Sequence, residues 1–324
     1  MNESAEVRAA AAAPQSAART AATRPMLTLL KREAWEHSAL WIAPLVVAAA
    51  LLVGAIFGRA YWPGSMPVSF GDVPVPPQGF RAMMTTALVV SVGSTQYLVM
   101  SVVLWFYVTS CLYNERRDRS ILFWKSMPVS DAKTVGSKML MALVAVPLYV
   151  YLAALLTTLV ASGIFAIPRF SQAASISVWD GGVWLHAQAI GFVYLVQSVL
   201  WYAPLTAYLL LVSAWARRNV QLWALSPLIL IVVERIALGT HYLSTWLLYR
   251  LGPGWQAQGE QWFERLFSGP FFNLSGGSSF SPGQVFAGME PLRGFENIDL
   301  WIGLAVAAVF LYAAVRVRRY RDDT

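Results

Sequence analysis

The feature that most constrains this chain is the length of its uncharged runs. No Asp, Glu, Lys or Arg occurs between Arg81 and Glu115, between Lys138 and Arg169, or between Asp180 and Arg217. A helix of about 20 apolar residues crosses the hydrocarbon of a bilayer, and there it satisfies its own backbone hydrogen bonds. Six apolar runs, the fifth interrupted by Glu234 and Arg235, predict spans at about 39–57, 90–112, 139–165, 187–215, 220–238 and 300–316. Composition agrees. Of 324 residues, 57% are hydrophobic and 13% charged, against about a quarter charged in soluble domains. The expected fold is all-α, a polytopic membrane protein of six transmembrane helices. Pro44, Pro147, Pro204 and Pro227 fall inside these runs, where proline kinks a helix and frees a backbone carbonyl. The single Cys111 lies in an apolar run and reads as a packing residue.

Charge orients the spans. With the N-terminus inside, 17 of the 24 Lys and Arg residues lie in the cytoplasm and 7 outside, as the positive-inside rule requires. Both termini are expected to be cytoplasmic, and a seventh span would put the basic VRVRRYR segment on the wrong side. The same bias explains the net charge of +7 without any nucleic acid. Residues 1–25 are Ala-rich and lack the apolar centre of a signal peptide, so they read as a disordered cytoplasmic tail. Residues 26–320 form the membrane domain and 321–324 a short second tail. Within the domain, residues 26–37 (MLTLLKREAWEH) predict an N-terminal interfacial helix. Met26, Leu27, Leu29, Leu30, Ala34 and Trp35 would share its apolar face, and Lys31, Arg32, Glu33 and Glu36 the other.

The segment after the fifth span is less regular. Residues 236–249 are apolar but too short to cross independently. They either re-enter the membrane under cover of other helices or lie on its outer surface. Just before them, Glu234 and Arg235 interrupt the apolar run. Such a pair either snorkels to the interface or carries function inside the membrane.

Catalytic signatures are absent. His37, His186 and His241 fall in three separate regions, and there is no HExxH, paired Cys or GxSxG. The chain has no Gly-Lys dipeptide, hence no P-loop. It is not expected to be an enzyme or to bind a metal or cofactor itself, and ATP with Mg would sit on a partner. The span centres lack ionisable groups, which argues against an ion-coupled carrier.

One loop resists a purely topological reading. Residues 114–131, NERRDRSILFWKSMPVSD, join the second and third spans. Arg116, Arg117 and Arg119 suit the end of a helix at an anionic leaflet. Ile121, Leu122, Phe123 and Trp124 do not. They predict an apolar knob edged by Arg119 and Lys125 and ended by Pro128, with Ser130 or Asp131 capping the next helix. Such a knob either lies in the headgroups or docks in a cleft of a soluble partner.

The stretch ERRDRSILFWKSMPVSDAKTVGSKML resembles the cytoplasmic loop of ABC-2 type transporter permeases. Glu115, Arg116, Ser120, Ile121, Ser126, Met127, Pro128, Val129, Ser130 and Lys138 carry the likeness, and the layout of residues 26–320 extends it. The resemblance implies the membrane-spanning subunit of a bacterial ATP-binding cassette transporter in the inner membrane, an exporter rather than an importer. A second permease chain and two copies of an ABC ATPase subunit would complete it. Arg119, Ser120, Ile121, Leu122, Phe123, Trp124, Lys125, Met127 and Pro128 would form the ATPase-coupling surface, with Arg217, Arg218 and Asn219 as a second contact. Residues 26–37 would be the connecting helix. Residues 236–249 would help close the outer gate, with Glu234 and Arg235 as its polar pair. Two other readings stand beside this one. One is a membrane-embedded enzyme on lipid-linked substrates, recruiting Glu234, His241, Glu260 and Glu264. The other is a non-transporting scaffold or sensor that uses the same loop.

Overall fold

The computed structural model describes residues 25–61, 78–120, 129–166, 179–251 and 292–320, and every regular element among them is a helix. In chain order these are α1 (Pro25–Glu36), α2 (Ala39–Tyr61), α3 (Gln78–Arg117) and α4 (Asp131–Leu140). A π-helical turn (Met141–Ala145) then leads into α5 (Val146–Ala166). The rest are α6 (Gly181–Trp215), α7 (Val220–Ala224), α8 (Ser226–Ala237), α9 (Tyr242–Leu251), a short 3-10 turn (Arg293–Phe295) and α10 (Ile298–Tyr320). Five stretches are long and apolar enough to cross a membrane: Ala39–Phe57, Thr85–Arg117, Asp131–Ile164, Gly181–Trp215 and Ile298–Tyr320. The chain is thus a multi-pass membrane protein.

The helices α6, α3 and α5 organise the bundle. α6 packs against α3 on one side and α10 on the other, and α2 leans on α3 and α5. The core gathers at the end where α1 and the 114–131 loop meet, here called the loop end. Leu40, Tyr107, Leu112, Val135, Met141, Leu210 and Ala314 are buried there. Leu98, Val102 and Phe106 of α3, Leu152 and Leu156 of α5 and Val309 of α10 point outward. An apolar exterior over an apolar interior is what lipid solvation permits and water does not.

Several boundaries differ from the sequence expectation. α3 begins at Gln78, well before residue 90. The third span starts at Asp131, on α4, because Ser130 caps it there: the Lys133 amide donates to Ser130 Oγ at 3.4 Å. The π turn follows. Pro147 has no N–H and crowds the carbonyl four residues back, and the Val146 amide donates five residues back to Met141 O. The expected fifth span, 220–238, is not one helix. α7 is only five residues long, Leu225 turns, and Pro227 lies in the first turn of α8, where its missing N–H costs nothing. α8 then stops two residues before Gly239, whose φ of +64° suits glycine.

Candidate functional site

The loop end holds a cluster of ionised side chains packed out of solvent. Lys138 is 0% exposed and Glu33 1%. Lys138 Nζ donates to Glu33 Oε1 at 2.7 Å and lies 3.0 Å from Glu115 Oε1. Arg318 bridges Glu115 to one more carboxylate, with Nη1 at 2.6 Å from Glu115 Oε2 and Nε at 3.0 Å from Asp131 Oδ1. Arg32 closes the edge, 2.7 Å from Glu36 and 3.7 Å from Glu115. Tyr107 donates its hydroxyl to Glu33 Oε2 at 3.1 Å. Four elements contribute these groups: α1, α3, α4 and α10. Removing an ion from water costs several kcal/mol, repaid only where geometry supplies partners. Here each carboxylate meets at least one cation, so the cluster holds its four helices in one relative arrangement.

Glu115 and Asp131 stand at the two ends of the 114–131 loop, and a single guanidinium binds both. The loop is therefore closed at its root by the end of α10. Arg116 ties the end of α3 to the end of α6, because its Nη2 donates to Ser213 O at 2.9 Å and Ala216 O at 2.7 Å. It neutralises the free carbonyls at the end of α6 rather than those of its own helix. Nearby, Ser213 Oγ accepts from the Leu112 and Tyr113 amides at 3.1 Å each, stitching α6 to α3.

His37 borders the cluster, outside the spans. Its ring meets Tyr107 edge-on at 4.8 Å, and its Nε2 lies 3.8 Å from Glu33. Burial holds its pKa below the ordinary 6.5 despite the neighbouring Glu33. Glu33, Glu36 and His37 bring ligand atoms within 4.8 Å of one another. Both carboxylates already serve Lys138 and Arg32, so the arrangement is an ion-pair network rather than a metal cradle.

The interfacial helix differs from expectation in which face it buries. Leu29 and Glu33 face inward, while Leu27, Lys31 and Trp35 form the outward stripe, with Lys31 Nζ 5.0 Å above the Trp35 ring. Glu33 turns inward because Lys138 waits there.

Of the expected coupling residues, Ile121, Leu122, Phe123, Trp124, Lys125, Met127 and Pro128 lie outside the described residues. Arg119 is exposed with φ of 55°, where the chain leaves α3, and the Ser120 hydroxyl donates to Glu115 O at 3.2 Å. Arg217, Arg218 and Asn219 are exposed together between α6 and α7, and Asn219 is left-handed at φ 50°. Those three follow directly on the carbonyls that Arg116 captures, which brings the expected second contact next to the root of the 114–131 loop. Glu234 and Arg235 make no ion pair among the described residues. Glu234 instead accepts from Thr240 Oγ1 at 2.9 Å and from the Leu243 amide at 3.0 Å, capping α9. Arg235 is exposed.

The sequence singles out Glu33, Asp131, Glu115 and Lys138 separately and in other roles, and nothing local to any of them joins them to one another or to Arg318. A signal for Arg318 existed. Gly303, Ala307, Ala314 and Arg318 repeat at helical spacing, and all four face the bundle. No protein-family model matches this chain, and no curated protein and no solved structure matches it.

Proposed function

We propose that this chain is the membrane-spanning subunit of an ATP-driven transporter of the ABC-2 permease type. In this reading it is an exporter of a bacterial inner membrane, with both termini in the cytoplasm. A separate ATPase, two copies per complex, carries ATP and Mg and docks on the 114–131 loop. A second permease chain completes the pathway. α7 and α8 make a broken sixth crossing, and α9 turns back at the outer mouth.

One observation carries the reading. Arg318 ties both ends of the loop to α10 within a cluster that also holds α1. A knob at residues 121–124 would stand between two chain ends that one guanidinium holds together. Force on the knob passes to the ends of α3, α4 and α10 as a rigid displacement, the kind of motion that opens one side of a pathway and closes the other. A scaffold needs only the knob. The buried charges at its root add stiffness, which matters where motion is transmitted.

The test is purification of the tagged chain from its native membrane in mild detergent. An ATPase subunit should accompany it and be lost when Phe123→Asp and Trp124→Asp are combined. Retention of the same ATPase by that variant would remove the loop from the mechanism.

A further inference from the structure

The far end of the bundle, opposite the loop, holds one charge in a different setting. Arg250, in the last turn of α9, is 7% exposed. Its guanidinium carbon lies 4.1 Å above the ring of Trp201, a buried residue of α6. Its Nη1 donates to the Asp299 carbonyl at 3.0 Å, and its Nη2 finds no acceptor among the described residues. The Asp299 carboxylate turns instead to the Tyr249 hydroxyl at 3.1 Å. The slot exists because residue 303 is glycine: a Cβ there would overlap the guanidinium. So the charge is held by a ring face and one carbonyl, and the nearby Asp299 carboxylate is bonded to Tyr249 rather than to the guanidinium.

The elements before Arg250 share a second property. α8 buries none of its side chains against the bundle. Glu234 of α8 caps α9 through the Leu243 amide and Thr240, which joins the two helices into one piece. At the other end of α8, the Tyr208 hydroxyl meets Trp223 O at 3.0 Å and Ser226 Oγ at 2.8 Å, beside the break at Leu225. Behind the latch, Trp201 Nε1 donates to Arg250 O at 3.0 Å and the Tyr202 hydroxyl to Leu251 O at 3.2 Å. The piece is thus fixed at its start by Tyr208 and at its end by Arg250 and its neighbours, with little between.

We propose that α8 and α9 are a rigid arm, hinged at Leu225–Pro227 and latched to α6 and α10 by Arg250 in the Gly303–Trp201 slot, and that the latch is built to release. The physical reason is the imbalance in the slot. A guanidinium buried against one carbonyl recovers only part of its hydration, so withdrawal to water costs little beyond the ring contact. A latch meant to stay shut would place a carboxylate opposite. The inference goes beyond the transporter reading and does not rest on it, since it concerns only how α9 meets the bundle.

The experiment uses the full chain in lipid nanodiscs with Leu247→Cys, a buried position of α9. Its labelling by a membrane-impermeant maleimide is read by peptide mass spectrometry. The buried Cys111 in the same molecule reports whether the bundle stays folded. Arg250→Ala and Gly303→Val should each raise the labelling rate at residue 247 by about tenfold or more, the signature of a lost local closure. The double variant should be no faster than either single one. Arg250→Met keeps the stem and drops the uncompensated charge, so it should label more slowly than the wild type. Arg250→Ala creates no clash, so it carries the test even if valine at 303 also exposes Cys111. Unchanged labelling in Arg250→Ala overturns the latch. Arg250→Met labelling as fast as Arg250→Ala overturns the claim that the charge makes it releasable.

Discussion

Each end of the bundle buries a long basic side chain, and the two are treated differently. At the loop end Lys138 sits between Glu33 and Glu115, with Arg318 holding the outer oxygens. At the far end Arg250 has a tryptophan face and one carbonyl. The loop end joins α1, α3, α4 and α10 through matched charges, and the far end joins α9 to the bundle through an unmatched one. Matched burial fixes geometry, because removing either partner strands a charge. Unmatched burial fixes little, because its alternative in water is nearly as good. On the proposed transporter reading, the stiff end is the one that would receive force from the partner and the other the one that would yield.

Substitutions can break that contrast. Lys138→Met should have the largest effect, since it leaves the buried Glu33 without its Lys partner and beside the charge of Glu115, which keeps Arg318. A loss of about 3–5 kcal/mol is expected, read as a lowered thermal midpoint in detergent, with partial recovery when Glu33→Gln is added. Arg318→Met should cost less, about 2–3 kcal/mol for two charge-assisted bonds, because Lys138 still serves Glu115. The same unfolding measurement orders the two. Arg250→Met sharpens the comparison from the other side. Losing a buried charge there should be neutral or stabilising within about 1–4 kcal/mol, and a destabilisation as large as that of Lys138→Met would erase the distinction between the ends.

The smallest effect concerns acidity. His37 faces Glu33, Glu36, Lys138, Glu115 and the Tyr107 ring, and burial lowers its folded pKa below 6.5. The folded state therefore takes up its proton later than the unfolded state does. This contribution is intact above pH 6.5 and declines as pH falls from there through the lowered folded value. His37→Gln should flatten the pH dependence of the thermal midpoint in that window. An equal slope in wild type and variant would assign it to other groups.

Much of this architecture was legible in the sequence, and the reasons are particular. The uncharged runs gave the long helices because a bilayer permits little else. Ser130 was readable as a cap, and Pro227 as a kink, from backbone chemistry alone. The face of α1 was not readable, because hydropathy assigns every Glu to water, whereas Glu33 finds Lys138 in the fold. Lys138 itself was counted as an orienting charge. Its burial depends on residues from three other helices, which no local pattern contains. Glu234 hides its partner for a related reason. Arg235 is its neighbour in sequence, but its carboxylate reaches the amide of Leu243 across a glycine turn.

The central claim is that the buried charges make α1, the root of the 114–131 loop and the end of α10 a single joint. Amide hydrogen exchange of the full chain in nanodiscs, wild type against Lys138→Met, tests it most directly. If the joint is real, exchange rises together in Pro25–Glu36, in Asp131–Leu140 and at the end of Ile298–Tyr320, while the middle of Gly181–Trp215 stays protected. A rise confined to the turn around residue 138, with α1 and α10 unchanged, would contradict the account.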